Sequence, residues 1–221
     1  STDMADDTTL GSGTEKKVRL QRAFAGYNVF EEDTARFDLE LGRRKLYDLF
    51  SSRIQFAGTV DALALKYANS VESVGDLNVT GATWLVDDRV DHFAWAVEAS
   101  LSDLAETALY AKYSYIDWDN TGVDRWGNKP GLNGAGRWWQ SRNSQVMLGY
   151  KVQPEVLNVD VNLYAAYLIN HAAKKLNKTN NKKKNKGYFV GATFGKIEYA
   201  GDWSVDLNWQ SVAAQAVLDQ E

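Results

Sequence analysis

Apolar and polar residues alternate with a period of two along most of this chain. The pattern is clearest over 144–171. Val146, Leu148, Tyr150 and Val152 share one face, opposite Gln145, Met147, Gly149 and Lys151. After a turn at 153–155 the pattern resumes, with Val159, Val161, Leu163, Ala165, Tyr167 and Ile169 opposite Asp160, Asn162, Tyr164, Ala166 and Asn170. A period of two is the signature of a β-strand. Pro154 cannot donate to a ladder and so belongs between the strands. The second run exceeds an ordinary strand of about 5–6 residues and approaches the roughly 9–11 that cross a bilayer at a tilt. One continuous apolar face opposite a wet one is what a transmembrane barrel strand presents.

The same alternation predicts strands over 18–30, 34–42, 53–67, 76–86, 92–101, 109–115, 187–197 and 203–210. With the pair above, about ten strands are expected. Ala23, Ala25, Tyr27 and Val29 form the apolar face of the first, and Phe37, Leu39 and Leu41 that of the second. Residues 1–17 are acidic and rich in Gly, Ser and Thr, and read as a loop or disordered segment. The connections sort into two classes. Those after odd-numbered strands are short, whereas both long loops, 119–143 and 172–186, follow even-numbered ones. A meandering outer-membrane barrel sorts its turns and loops in this way, and a Greek-key sandwich has no reason to. The expected fold is all-β, an antiparallel up-and-down transmembrane β-barrel over 18–221, either complete at about ten strands or part of a larger barrel.

Composition sharpens this picture at a few points. The 221 residues carry a net charge of −4, which gives no general attraction to nucleic acid. The absence of cysteine removes disulfide frameworks and thiolate metal sites. No run approaches the ~18 apolar residues of a membrane helix. The 8 Trp and 11 Tyr suit interfacial girdles, with Trp84, Trp95, Tyr115, Trp118, Tyr199 and Trp203 near strand ends. The first residues lack the apolar run of a secretory signal and the final VLDQE lacks a terminal aromatic, so a trimmed or partial chain is expected.

If the apolar face meets lipid, the other lines a lumen. That face holds Arg22, Asn28, Arg36, Asp38, Glu40, Lys66, Glu98, Lys112, Lys151, Asp160, Asn162, Asp206, Asn208 and Gln210. Charged rings of this kind set ion selectivity. The arginines gather early, at 19, 22, 36, 43, 44 and 53, and a basic wall facing carboxylates elsewhere would put a transverse field across a pore. Enzyme chemistry is not expected. His92 and His171 have no HExxH or triad-like neighbours. Asp117, Asp119 and Asp124 are spaced as oxygen ligands of a calcium loop, but the full EF-hand pattern is missing. No cofactor is expected. The lysine run at 174–186 suits anionic lipid headgroups or lipopolysaccharide. Asn78 and Asn177 fit the glycosylation acceptor pattern, which is too short to be specific.

Two stretches carry a family resemblance: LELGRRKLYDLFSSRIQFAGTVDALALKYA at 39–68 and KIEYAGDWSVDLNWQSVAAQAV at 196–217. In the first, a strand ends in a Leu-Gly-Arg step, a Tyr-Asp loop follows and an aspartate opens the next strand. The chain resembles Gram-negative outer-membrane porins, most of all those of chlamydia-like bacteria. The resemblance implies passive diffusion of small hydrophilic solutes or ions through a trimer in the bacterial outer membrane. It also implies that Arg43, Arg44 and Arg53 lie at or near the constriction, with Asp48 on the constricting loop. General porins have about sixteen strands, against the ten legible here. Two other readings share the alternation. One is a secreted or periplasmic β-sandwich that binds carbohydrate on Trp126, Trp138 and Trp139. The other is a structural barrel without a pore.

Overall fold

The computed structural model describes residues 9–10, 18–19, 22–51, 54, 58–87, 92–104, 107–118, 141–154, 159–173 and 183–217. In chain order the elements are β1 (Thr9–Leu10), β2 (Val18–Arg19), β3 (Ala23–Glu31), β4 (Ala35–Lys45), α1 (Leu46–Leu49), β5 (Thr59–Val71), β6 (Gly75–Asp87), β7 (His92–Ser102), β8 (Leu109–Trp118), β9 (Ser141–Val152), β10 (Val161–Asn170), β11 (Lys186–Gly195) and β12 (Ser204–Val212). β1 pairs with β2 across two residues each. The ten strands β3 to β12 form one sheet in which every strand lies beside its neighbours in sequence, and every ladder is antiparallel.

The all-β meander of ten strands thus agrees with the period-two pattern. It is one sheet rather than the two packed layers that a sandwich needs. The sheet is not closed: β3 and β12 stand at its two edges and do not pair with each other.

Several boundaries differ from the expected ones. The first predicted strand divides, since Val18–Arg19 pairs with Thr9–Leu10 and the long strand begins at Ala23. A register shift between Asn28 and Phe30 puts Phe30, not Val29, opposite Phe37. The extra residue is a β-bulge, which alternation alone does not reveal. The second strand continues through Arg43, Arg44 and Lys45, and one helical turn follows it. The third strand begins at Thr59, so Ile54 lies before it in a bend. β9 reaches back to Ser141, inside the expected long loop.

Burial along the strands separates two faces. In β5, Val60, Ala62 and Ala64 are buried, while Asp61, Leu63 and Leu65 between them are exposed. In β9, Gln145, Met147 and Gly149 are buried, while Val146, Leu148 and Tyr150 are exposed. The buried face is the one covered by α1, and we call it the inner face. Its apolar cluster joins Leu46, Leu49 and Phe50 to Val60, Ala62, Ala64, Ala82, Trp84, Ala94, Ala96, Ile116 and Trp118. Trp84 and Trp118 meet edge to face there, with ring centroids 5.5 Å apart. These two tryptophans are therefore inner packing residues rather than girdle residues, because they occupy even, inward positions of β6 and β8. Trp95, Tyr199 and Trp203 are exposed.

The segment after β4 shows that the sheet curves toward its inner face. Ile54 packs with the Tyr110, Met147, Tyr164, Ala166 and Phe189 cluster and reaches Gly187 on β11. From Leu46, one helical turn and the residues up to Ile54 span at most about 22 Å. The seven strand spacings from β4 to β11 would span about 34 Å if the sheet were flat. Only a curved sheet lets so short a segment touch both.

Candidate functional site

The inner face is where polar and charged side chains converge, and strand alternation sets each of them there. On β4 the even positions Arg36, Asp38, Glu40 and Arg44 point inward. Arg36 Nε lies 2.7 Å from Asp38 Oδ2, and Asn28 Nδ2 on β3 donates to Asp38 Oδ1 at 2.9 Å. Glu40 takes Lys66 Nζ from β5 at 2.9 Å and also the Arg44 guanidinium. Arg44 also covers the Phe24 ring, its Cζ 4.2 Å from the centroid. Arg36 and Arg44 thus meet carboxylates on their own strand, not a distant acidic wall.

Arg43 is placed differently from Arg44. It is an odd residue of β4, opposite Asp61 in register, and Asp61 lies on the exposed side of β5. Its guanidinium forks onto that carboxylate, Nε to Oδ1 at 3.0 Å and Nη2 to Oδ2 at 2.8 Å. The pair therefore decorates the outer face near the loop end of the wall. Arg22, just before β3, reaches Asp48 of α1 at 3.3 Å. Arg53 lies outside the described residues.

Farther along the sheet, Glu98 on β7 is 8% exposed and both its oxygens accept the Ser51 N–H, at 2.9 and 3.0 Å. Lys112 on β8 and Lys151 on β9 flank the Tyr110 ring, their ammonium groups 5.8 and 5.5 Å from its centroid. The Tyr110 hydroxyl donates to Asn162 Oδ1 at 3.1 Å. At the far edge Asp206 is held by Tyr164 at 2.8 Å, Thr193 at 2.6 Å and Asn208 at 2.9 Å. Asp160 lies just before β10, exposed, its carbonyl accepting from the Gly195 N–H at 2.8 Å.

Of the calcium candidates, Asp117 is outward on β8 and ion-paired with Arg142 at 3.1 Å. Asp119 and Asp124 lie outside the described residues. No cluster of three potential metal ligands occurs among the described residues.

Residues that sequence reasoning passed over complete the site. Tyr110 and Tyr164 are buried at 6% and 3%. Each lies flat across a glycine on the next strand, Gly149 and Gly191, where any Cβ would fall within the ring. The signal for this was a glycine at an inward position opposite a tyrosine, visible once register is known. Buried amides gather near the loop end. Asn170 Nδ2 donates to the Gln215 carbonyl, and Asn185 Nδ2 to the Asn170 carbonyl, both at 2.8 Å. The short piece 213–217 beyond β12 folds onto the inner face to make them, which alternation cannot foretell.

The inner face is thus a band of fixed charges and amides, largely satisfied by one another, with an apolar patch under α1. Such a surface offers charged and hydrogen-bonding groups rather than an apolar pocket. On the other side of the sheet, exposed His171 lies with its Nε2 2.8 Å from Ser144 Oγ. Comparison with family models, characterised proteins and solved structures finds no match for the chain.

Proposed function

We propose that the sheet is the wall of an outer-membrane β-barrel through which small hydrophilic solutes or ions diffuse. The observation that carries this reading is the inversion of burial. Leu41, Leu65, Trp95, Leu148, Val190 and Leu207, from six different strands, are 62, 44, 45, 58, 51 and 61% exposed on the outer face. Glu98, Ser114, Asn143, Gln145 and Asn170 are buried on the inner one. A water-soluble protein rarely exposes a contiguous apolar patch beyond a few hundred Å², and this one extends across the whole sheet. Lipid is the solvent that makes such a face favourable.

Strand lengths support the same reading, since β3 to β12 run from 9 to 13 residues, near the roughly 9–11 needed to span a bilayer. Unpaired edges cannot persist in hydrocarbon. β3 and β12 run in opposite senses, and Ala25, Tyr27, Leu207 and Trp209 point outward while Asn28, Asp206 and Asn208 point inward, so the wall closes through these edges, directly or by way of further strands. The partners are then outer-membrane lipid on one face and solute on the other.

One observation favours a second reading, a barrel without a passage: α1 and its cluster fill the β5–β8 half of the inner face. Conductance in a planar bilayer after detergent extraction separates the two. Stepwise ohmic channels are expected. A detergent-requiring protein that never conducts would leave the structural barrel.

A further inference from the structure

A buried carboxylate on the inner wall has no cation within ion-pair distance among the described residues, and that calls for an explanation. Glu98 is 8% exposed, and in register it faces Thr80 on β6 and Ser114 on β8, both uncharged. Lys112, two residues beyond Ser114, is the nearest cation along β8. Burying a carboxylate without compensation is expensive. The compensation seen is a backbone N–H from 47 residues away in sequence, that of Ser51.

Ser51 ends the stretch 46–51, which leaves β4 and crosses onto the inner face. Its neck is closed by the Leu46 N–H on the Gly58 carbonyl at 3.0 Å. Leu46, Leu49 and Phe50 are 0, 6 and 1% exposed against the wall, with the Phe50 ring centroid 6.4 Å from that of Trp84. Apolar packing is non-directional, so it presses this stretch to the wall without fixing where it sits along β7. The two-oxygen acceptor of Glu98 does fix it.

We propose that Glu98 is the positioning residue that seats 46–51 across the passage and so sets its aperture. The seat itself is independent of the pore reading. Its consequence for solutes rests on that reading.

The chain has no cysteine, so one reporter can be read alone. Leu49→Cys is placed in four backgrounds: Glu98 intact, Glu98→Gln, Glu98→Leu and Ser51→Pro. Gln retains an acceptor oxygen. Proline removes the Ser51 donor while leaving Glu98 in place, and Phe50, at φ −123° and ψ 149°, has the extended backbone a residue before proline requires. Labelling by a membrane-impermeant maleimide is expected to be slow in the first two backgrounds. In Glu98→Leu and Ser51→Pro it is expected to be about 10-fold faster or more, from loss of a buried hydrogen bond, with a larger single-channel conductance.

Unchanged labelling in both would overturn the seat. Faster labelling with unchanged channels would overturn the aperture. Faster labelling without channels in any background would keep the seat and remove the passage. If Glu98→Leu does not assemble, Ser51→Pro decides.

Discussion

At the scale of single residues, the inner face works by close fits that leave little slack. Gly149 and Gly191 let Tyr110 and Tyr164 lie flat on the neighbouring strand and reach Asn162 and Asp206. Gly149→Ala is expected to cost about 1–3 kcal/mol, because its methyl must displace a buried ring. Gly81→Ala is the control: its Cβ would meet nothing nearer than the Ala96 carbonyl at 4.0 Å, and unfolding in detergent should barely change. Glu40 neutralises both Arg44 and Lys66, so Glu40→Gln should move the reversal potential toward anion preference. In the turn before β12, the Tyr199 and Glu198 N–H groups, both on Oδ2, hold the Asp202 carboxyl below the usual aspartate range. A lowered folded-state pKa gives stability that is present above the ordinary value of about 3.9 and lost as the pH falls below it. The stability difference between the native chain and Asp202→Ala should therefore shrink on acidification and be flat near neutrality.

At the scale of elements, period-two alternation was legible wherever a strand runs unbroken. The faces of β5, β7, β9, β10 and β11 follow from it directly, and so do Asp38, Glu40, Lys66, Glu98 and Asn162 as inward residues. It does not foresee the β3 bulge, because one extra residue changes the parity beyond it. It also says nothing of α1, a single turn too short for a 3.6-residue period to register. Arg43 and Arg44 are grouped by the family resemblance, yet parity separates them, since Arg43 shares its face with Leu39 and Leu41. The two sides of β10 give the sharpest contrast between elements and solvent. Leu163 is 46% exposed on the outer face, and Leu163→Arg should cost roughly 2–4 kcal/mol if placed at the bilayer midplane. Asn162→Arg, one residue away on the inner face, should assemble and change selectivity instead. Equal assembly yields for the two variants would contradict the assignment of faces.

At the scale of the whole molecule, one curved sheet of ten strands exposes large apolar side chains along its outer face and holds α1, with buried amides and Glu98, on its inner one. The number of strands could be read from the sequence because every connection in the sheet carries glycine, proline or acidic residues except the one at 171–185, which a run of lysines and asparagines marks instead. The curvature could not, because it depends on the contact of Ile54 with a strand far along the sheet. What the outer face touches is the central question, and β10 is the place to ask it. Single spin labels at each position from Val161 to Asn170, in lipid vesicles, report collisions with dissolved oxygen, which partitions into hydrocarbon, and with a water-soluble nickel chelate. The expected result is alternation in step with the strand, with Leu163, Ala165 and Tyr167 accessible to oxygen and Asn162, Tyr164 and Ala166 not. Accessibility of Leu163, Ala165 and Tyr167 to the nickel chelate instead of oxygen would mean that the apolar face does not lie in a membrane.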